Sequence, residues 1–280
     1  MPPISASAVQ ERAAREGRAE FRFERNANGQ TTLMHQYCEY PHHIVRPLYL
    51  DPARPDLPTL CLQSVSGGLF GGDRLSVYLE VGEDASVRLA TQAATKAHRS
   101  DEDRASSRVE LSVGTGAYLE YVADPVILFP GARAATSTRV ELAPGARVIV
   151  REAFLHHTPF EGPLQLFETY ETELVVIGAE GEVLAVDRLQ IGQPERRPEL
   201  REVLRRFPAQ GAVYVLDESL GEGAIAALRA AVPATGAWAG ATTLPSSCGA
   251  YVRVLARDGH TLREMLNAAV ASVSLAYEAR

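Results

Sequence analysis

Three stretches of the chain repeat one pattern: an alternating apolar segment, a short glycine-bearing turn, and a second alternating segment. They are LEVGEDASVRLA from Leu79, LSVGTGAYLEYV from Leu111 and VELAPGARVIVRE from Val140. Period-two alternation marks strands with one buried face. The turns read as hairpin-like or otherwise tight reversals. The matching glycines, Gly82, Gly114 and Gly145, lie 32 and 31 residues apart, and a weaker fourth copy, LVVIGAEGEVLAVDRL from Leu174, carries Gly178. A steady period of this length points to stacked units, each burying its face on the next. From periodicity alone, an ordinary β-sandwich of regular hairpins explains the pattern equally well.

The pattern changes near the C-terminus. DESLGEGAIAALRAAVP sets Leu220, Ala224, Ala227, Leu228 and Ala231 on one helical face, and Pro233 ends it. YVRVLAR from Tyr251 alternates as a strand. TLREMLNAAVASVSLAYEA opens with Thr261 and Glu264 at capping-box spacing, followed by an apolar stripe from Leu262 to Val273. GQPERRPELREVLRRFPAQG from Gly192 reads as a polar loop holding a short helix. The expected organisation is a polar, flexible lead-in over 1–17 and one domain over 18–280. Within it, a β-superhelix covers about 18–195 and a helix-strand-helix cap covers about 196–280.

Composition narrows the function classes. A net charge of −7 in 280 residues argues against a general nucleic-acid binder. No run approaches the ~20 apolar residues of a membrane span, and the charged N-terminus does not resemble a secretory signal. Three cysteines, Cys38, Cys61 and Cys248, are odd in number and far apart, so neither a disulfide framework nor a zinc motif follows. A reducing cytoplasm is the simplest compartment.

Candidate chemistry is sparse. SGGLFGGDRL carries Gly67, Gly68, Gly71 and Gly72 before Asp73 and Arg74. The spacing of Gly67 and Gly72 suits a phosphate loop, but Asp73 and Arg74 replace the lysine and hydroxyl such a loop needs, and a strand follows where a helix should. The glycines instead suit positive φ or close approach of another segment, with Asp73 paired to Arg74 or closing an Asx turn. ATQAATKAHRS is rich in small and hydroxyl residues and includes Thr95 and Lys96, as a wet channel wall or a surface turn would. His42–His43 and His156–His157 are adjacent pairs of imidazoles. Neighbours on a strand face opposite ways, so the pairs read first as exposed and only weakly as metal ligands. No G-x-S-x-G or H-E-x-x-H motif occurs. The residues alone favour a binding or scaffold protein over an enzyme, with a β-solenoid enzyme acting on carbohydrate as the alternative.

The run SGGLFGGDRLSVYLEVGEDASVRLATQAATKAHRS resembles the signature region of the UreD (UreH) family of urease accessory proteins, with its G-G-x-x-G-G-D and T-x-x-A-[ST]-K motifs in order. The similarity continues through LEYVADPVILFPGARAATSTRVELAPGARVIVRE and GATTLPSSCGAYVRVLARDGHTLREMLNAA, covering about residues 18–272. Here Gln63 to Ser66 stands where the family commonly has H-P-P, and His98 where it commonly has an aromatic. The resemblance implies a mainly β, two-layered superhelix with a pair of C-terminal helices, and a role without catalysis. It implies action with UreF and the GTPase UreG on the urease apoprotein, with transient Ni2+ passing through a polar interior channel and no tightly bound cofactor. Carried over by position, Asp73, Thr95 and Asp187 are expected to line or border that channel. Arg74, Lys96 and the four glycines are expected to support it, with Arg74 holding Asp73.

Overall fold

The computed structural model describes residues 14–156, 165–220, 222–232 and 237–278. In chain order the strands are β1 (Glu16–Arg25), β2 (Thr31–Cys38), β3 (His42–Ile44), β4 (Thr59–Ser64), β5 (Arg74–Val81), β6 (Ser86–Thr91), β7 (Thr95–Ala97), β8 (Ala105–Val113), β9 (Tyr118–Val122), β10 (Val126–Leu128), β11 (Arg133–Leu142), β12 (Arg147–His156), β13 (Thr169–Ile177), β14 (Val183–Gly192), β15 (Ala209–Leu216), β16 (Ala237–Thr243) and β17 (Gly249–Ala256). The helices are α1 (Pro198–Arg206), α2 (Glu222–Ala231) and α3 (Gly259–Glu278). β1 starts at Glu16, inside the stretch expected to be a flexible lead-in. Residues 1–13 lie outside the described part.

The repeats coil rather than fold back. One sheet runs β14-β13-β11-β8-β5-β1-β2 and the other β16-β17-β15-β12-β9-β6-β4-β3. β5, β8, β11 and β13 pair in parallel, and so do β4, β6, β9 and β12. Each glycine turn therefore carries the chain from one sheet to the other. The three turns expected as hairpin-like reversals are corners between layers, stacked into a solenoid of about three turns. A turn of this length looks the same in sequence whether its strands pair or part. The fourth copy is a true hairpin: β13 and β14 pair antiparallel in one sheet and end the coil.

The corners also correct the repeat alignment. The amides of Ala85, Ala117 and Ala146 donate to the carbonyls of Gly82, Gly114 and Ala143, respectively. Ala143 is thus the equivalent of Gly82 and Gly114. Gly145 instead matches Asp84 and Gly116, all three with positive φ.

Buried Val, Leu and Phe side chains fill the space between the sheets at the glycine-corner side, among them Phe23, Leu79, Val81, Leu89, Leu111 and Val148. The opposite side is wider. There the short parallel strands β7 and β10 bridge to β12, forming a third wall. The outer face of the second sheet is covered by α2 and α3, which bury Leu228, Leu262, Met265, Leu266, Ala269 and Val273 against β15 and β17.

The start of α3 differs in detail from the expectation. Asp258, not Thr261, caps it: the Asp258 carboxylate accepts from the Thr261 amide at 2.7 Å and from its hydroxyl at 2.9 Å. These bonds hold the Asp258 carboxyl below the usual range. Asp258→Ala is expected to lower stability by about 1 kcal/mol, read as a shift in the urea midpoint with an unchanged slope.

Candidate functional site

The wide side of the stack encloses a cavity of about 330 Å³. Strand starts of the first sheet wall it with Ser107 and Thr136 to Thr138, and strand ends of the second with Thr91, Tyr121 and Glu152. Its mouth is formed by Ser64, Ser66, Gly67, Gly68 and the segment from Gln92 to Lys96. Thr95 and Lys96 are both among its lining residues. A second cavity of about 30 Å³, room for roughly one water, lies between Gln210, Tyr214 and Arg253. The two share Glu152, Ala153 and Tyr170 as a common wall.

Glu152 sits at this junction. Its oxygens accept from the hydroxyls of Thr138 at 2.6 Å and Thr172 at 3.3 Å. Burial pushes its carboxyl up to about 7, although the two hydroxyl bonds pull the other way. Asp187 stands just beyond. It accepts from the Tyr214 hydroxyl at 2.5 Å and pairs with Arg253, and both partners line the smaller cavity. Asp187 itself lines neither cavity and stands behind Tyr214 and Arg253 of the smaller one. Glu152 was not singled out from the sequence, yet a signal exists: in RVIVREAFLH it falls in phase with the inward-facing Val148 and Val150. A carboxylate in the apolar phase of an alternating strand is an anomaly that invites explanation.

Asp73 is placed differently from the expectation. It is 1% exposed and does not line the cavity. Arg15 donates to it from its Nε at 3.0 Å and from its backbone amide at 3.1 Å, and the Phe70 amide donates at 2.9 Å. Burial opposes ionisation, but these bonds and the Arg15 charge outweigh it and hold the carboxyl below its ordinary range. Arg74 does not hold Asp73. It is exposed and reaches Glu16 at 3.3 Å. The local reason is chain geometry: Arg74 opens β5 beside β1, whereas Arg15 precedes β1 and packs under the glycine loop, over the rings of Tyr40 and Phe70.

That loop supplies part of the cavity mouth. Arg15 Nη2 donates to the Gly68 carbonyl at 2.7 Å, and His98 Nε2 lies 2.9 Å from the Gly67 carbonyl. Gly68 has φ +128°, and a Cβ there would overlap the Lys96 carbonyl. A Cβ at Gly71 would strike Ser100. Gly71 and Gly72 do not line the cavity; they let the loop close against its neighbours. Gly68→Ala is expected to destabilise by about 1–3 kcal/mol through the strained φ and the clash, measured by thermal unfolding.

The histidines divide. His43 is exposed and bonds Gln63 at 2.9 Å. His156 is buried, with Nε2 3.0 Å from the Leu204 carbonyl, so it is a packing residue rather than an exposed one. His42 lines the cavity instead of facing solvent. His157 lies outside the described residues. Among the described residues no group of three or more His, Cys, Asp or Glu is arranged to hold a metal ion. No described helix is long and apolar enough to cross a membrane.

These features define a class: a parallel β-solenoid of two layers, capped by helices, with two adjacent cavities that share the buried Glu152 carboxyl in their common wall. Comparison with known proteins then specifies it. Residues 15–279 match the family model described as UreD urease accessory protein. The chain is 36% identical to urease accessory protein UreD 3 of Bradyrhizobium sp. (strain ORS 278), over 87% of this chain and 85% of that one. It is 35% identical to urease accessory protein UreD of Haloarcula marismortui, over 91% and 85%. The chain belongs to the UreD family of urease accessory proteins.

Proposed function

We propose that this protein is a urease maturation chaperone that passes Ni2+ toward the urease active site through the polar cavity. It acts with UreF, UreG and the urease apoprotein in the reducing cytoplasm, holds no tightly bound cofactor and turns over no substrate. Family membership supports the urease assignment, and the names of the relatives as accessory proteins support a role without catalysis. The observation that carries the conduit is Glu152, a buried carboxyl in the wall shared by two adjacent cavities. A cation in transit needs exchangeable oxygen ligands, whereas a thiolate or multi-histidine cage would trap it. Hydroxyls, backbone carbonyls and one or two carboxylates meet that need. Thr95 would contact the cargo at the mouth and Glu152 midway, with Asp187 completing the far side. Asp73 serves the path indirectly, by fixing the loop that shapes the mouth.

A conduit bounded by these aspartates would fail if both faced bulk solvent on opposite surfaces. Asp73 is buried and Asp187 only part-exposed. The competing reading is a structural adaptor, with nickel reaching urease by another route. Co-expression of urease subunits with and without this chain, followed by urea hydrolysis, tests the maturation role. Equal activity without the chain would overturn it.

A further inference from the structure

We propose that His42 offers one imidazole nitrogen to a divalent cation of borderline softness in the cavity, Ni2+ in particular, and so favours it over Mg2+. The inference rests on the conduit reading for its cargo. It starts from an orphaned atom. His42 lies on β3 opposite Ser64, and its ring forms part of the cavity wall. One side of the ring bonds the Gly17 backbone. Its Nε2 is enclosed and has no hydrogen-bond partner. Leaving a buried polar atom unsatisfied is costly, and buried polar groups are normally paired. His156 shows the ordinary arrangement, its Nε2 meeting the Leu204 carbonyl.

The chemistry fits a ligand. In the tautomer that carries its proton on the other ring nitrogen, toward the Gly17 backbone, Nε2 has a bare lone pair. Burial lowers the imidazole pKa further, keeping that lone pair free of a proton near neutrality. Imidazole suits nickel, copper and zinc, whereas magnesium prefers oxygen ligands. Around His42 the cavity offers hydroxyls and an amide, from Ser64, Ser66, Thr91 and Gln63. A small turn of the ring at the cavity wall would pair Nε2 with an entering ion while these oxygens and water complete its shell. One nitrogen among oxygens makes a weak, selective contact rather than a trap.

The test is an NMR titration of the full-length chain with Ni2+ alone, following the histidine ring signals. Paramagnetic Ni2+ is expected to broaden the His42 ring at substoichiometric metal, while a tenfold excess of Mg2+ neither broadens nor displaces it. His42→Gln should weaken Ni2+ binding by at least about tenfold. Broadening confined to His35, His43 or His260, displacement by Mg2+, or unchanged affinity in His42→Gln would overturn the proposal. The titration contains no urease, so its failure is separable from failure of the conduit, which is read from nickel reaching urease.

Discussion

Arg15→Ala is expected to destabilise the protein by about 3–5 kcal/mol, because it leaves the Asp73 carboxylate buried without its cation. A midpoint drop on the order of 10 °C follows at this chain length. The pH dependence provides a sharper sign. In the wild type, Asp73 is held below the ordinary carboxylate range. Its contribution to stability is therefore present above the unfolded-state pKa and is lost as pH falls through the depressed folded value. Without the Arg15 side chain, burial is opposed only by the backbone amides of Phe70 and residue 15, so the depression of the Asp73 carboxyl shrinks. The Asp73 contribution in the variant should then shrink, with less stability lost as pH falls than in the wild type. Asp73→Asn added to Arg15→Ala should recover part of the loss by removing the unpaired charge. Denaturant midpoints of the three proteins between pH 3 and 8 check this. Equal stability of wild type and Arg15→Ala would mean the clamp does not hold the glycine loop.

Glu152→Gln is expected to separate assembly from metal passage. The substitution keeps the shape and one acceptor oxygen for the Thr138 hydroxyl, while the Thr172 hydroxyl must turn to accept from the new amide NH2, and it removes the negative form. Near 4 Å, at an effective dielectric of about 20, two unit charges interact by about 4 kcal/mol. Losing even a third of that for a passing dication slows or weakens its passage about tenfold. The fold should not suffer. The Glu152 carboxyl, at about 7, lies above the ordinary glutamate value of 4.5. The native state thus binds more protons than the unfolded state between those values, and stability falls as pH rises through that window. Gln has no such loss, so the stability gap in favour of the variant should widen by about 3 kcal/mol between pH 4 and pH 8. A flat gap would mean that the carboxyl is not buried as described.

Much of this architecture was legible in the sequence, and its limits have physical causes. Alternation around Gly82 and Gly114 revealed the strands and their stacking, since side-chain burial has period two whichever sheet receives the strand. The sheet assignment was not legible, because a two-layer corner and a hairpin use similar short turns. Gly145 was aligned on residue type, while the corner hydrogen bonds align Ala143. The glycine loop read correctly as a site of close approach, whereas Asp73 neither pairs with Arg74 nor closes an Asx turn onto a following amide; it accepts from the Phe70 amide before it and pairs with Arg15. Its ion partner was missed because Arg15 is 58 residues away in sequence, before the first strand. Glu152 belongs to no recognisable motif; only its phase with Val148 and Val150 marks it in the sequence. Thr95 at the cavity mouth came from the family resemblance, since spacing left that segment either a channel wall or a surface turn.

The central claim is that nickel reaches urease through this cavity, past Glu152. The most direct measurement is the nickel content of urease purified after co-expression with UreF, UreG and either the wild-type chain or Glu152→Gln, with the co-purified accessory complex quantified alongside. The account predicts equal recovery of the complex and urease about tenfold poorer in nickel with the variant under limiting nickel. Full nickel loading by Glu152→Gln, at equal complex recovery, would contradict it and leave the protein a structural adaptor.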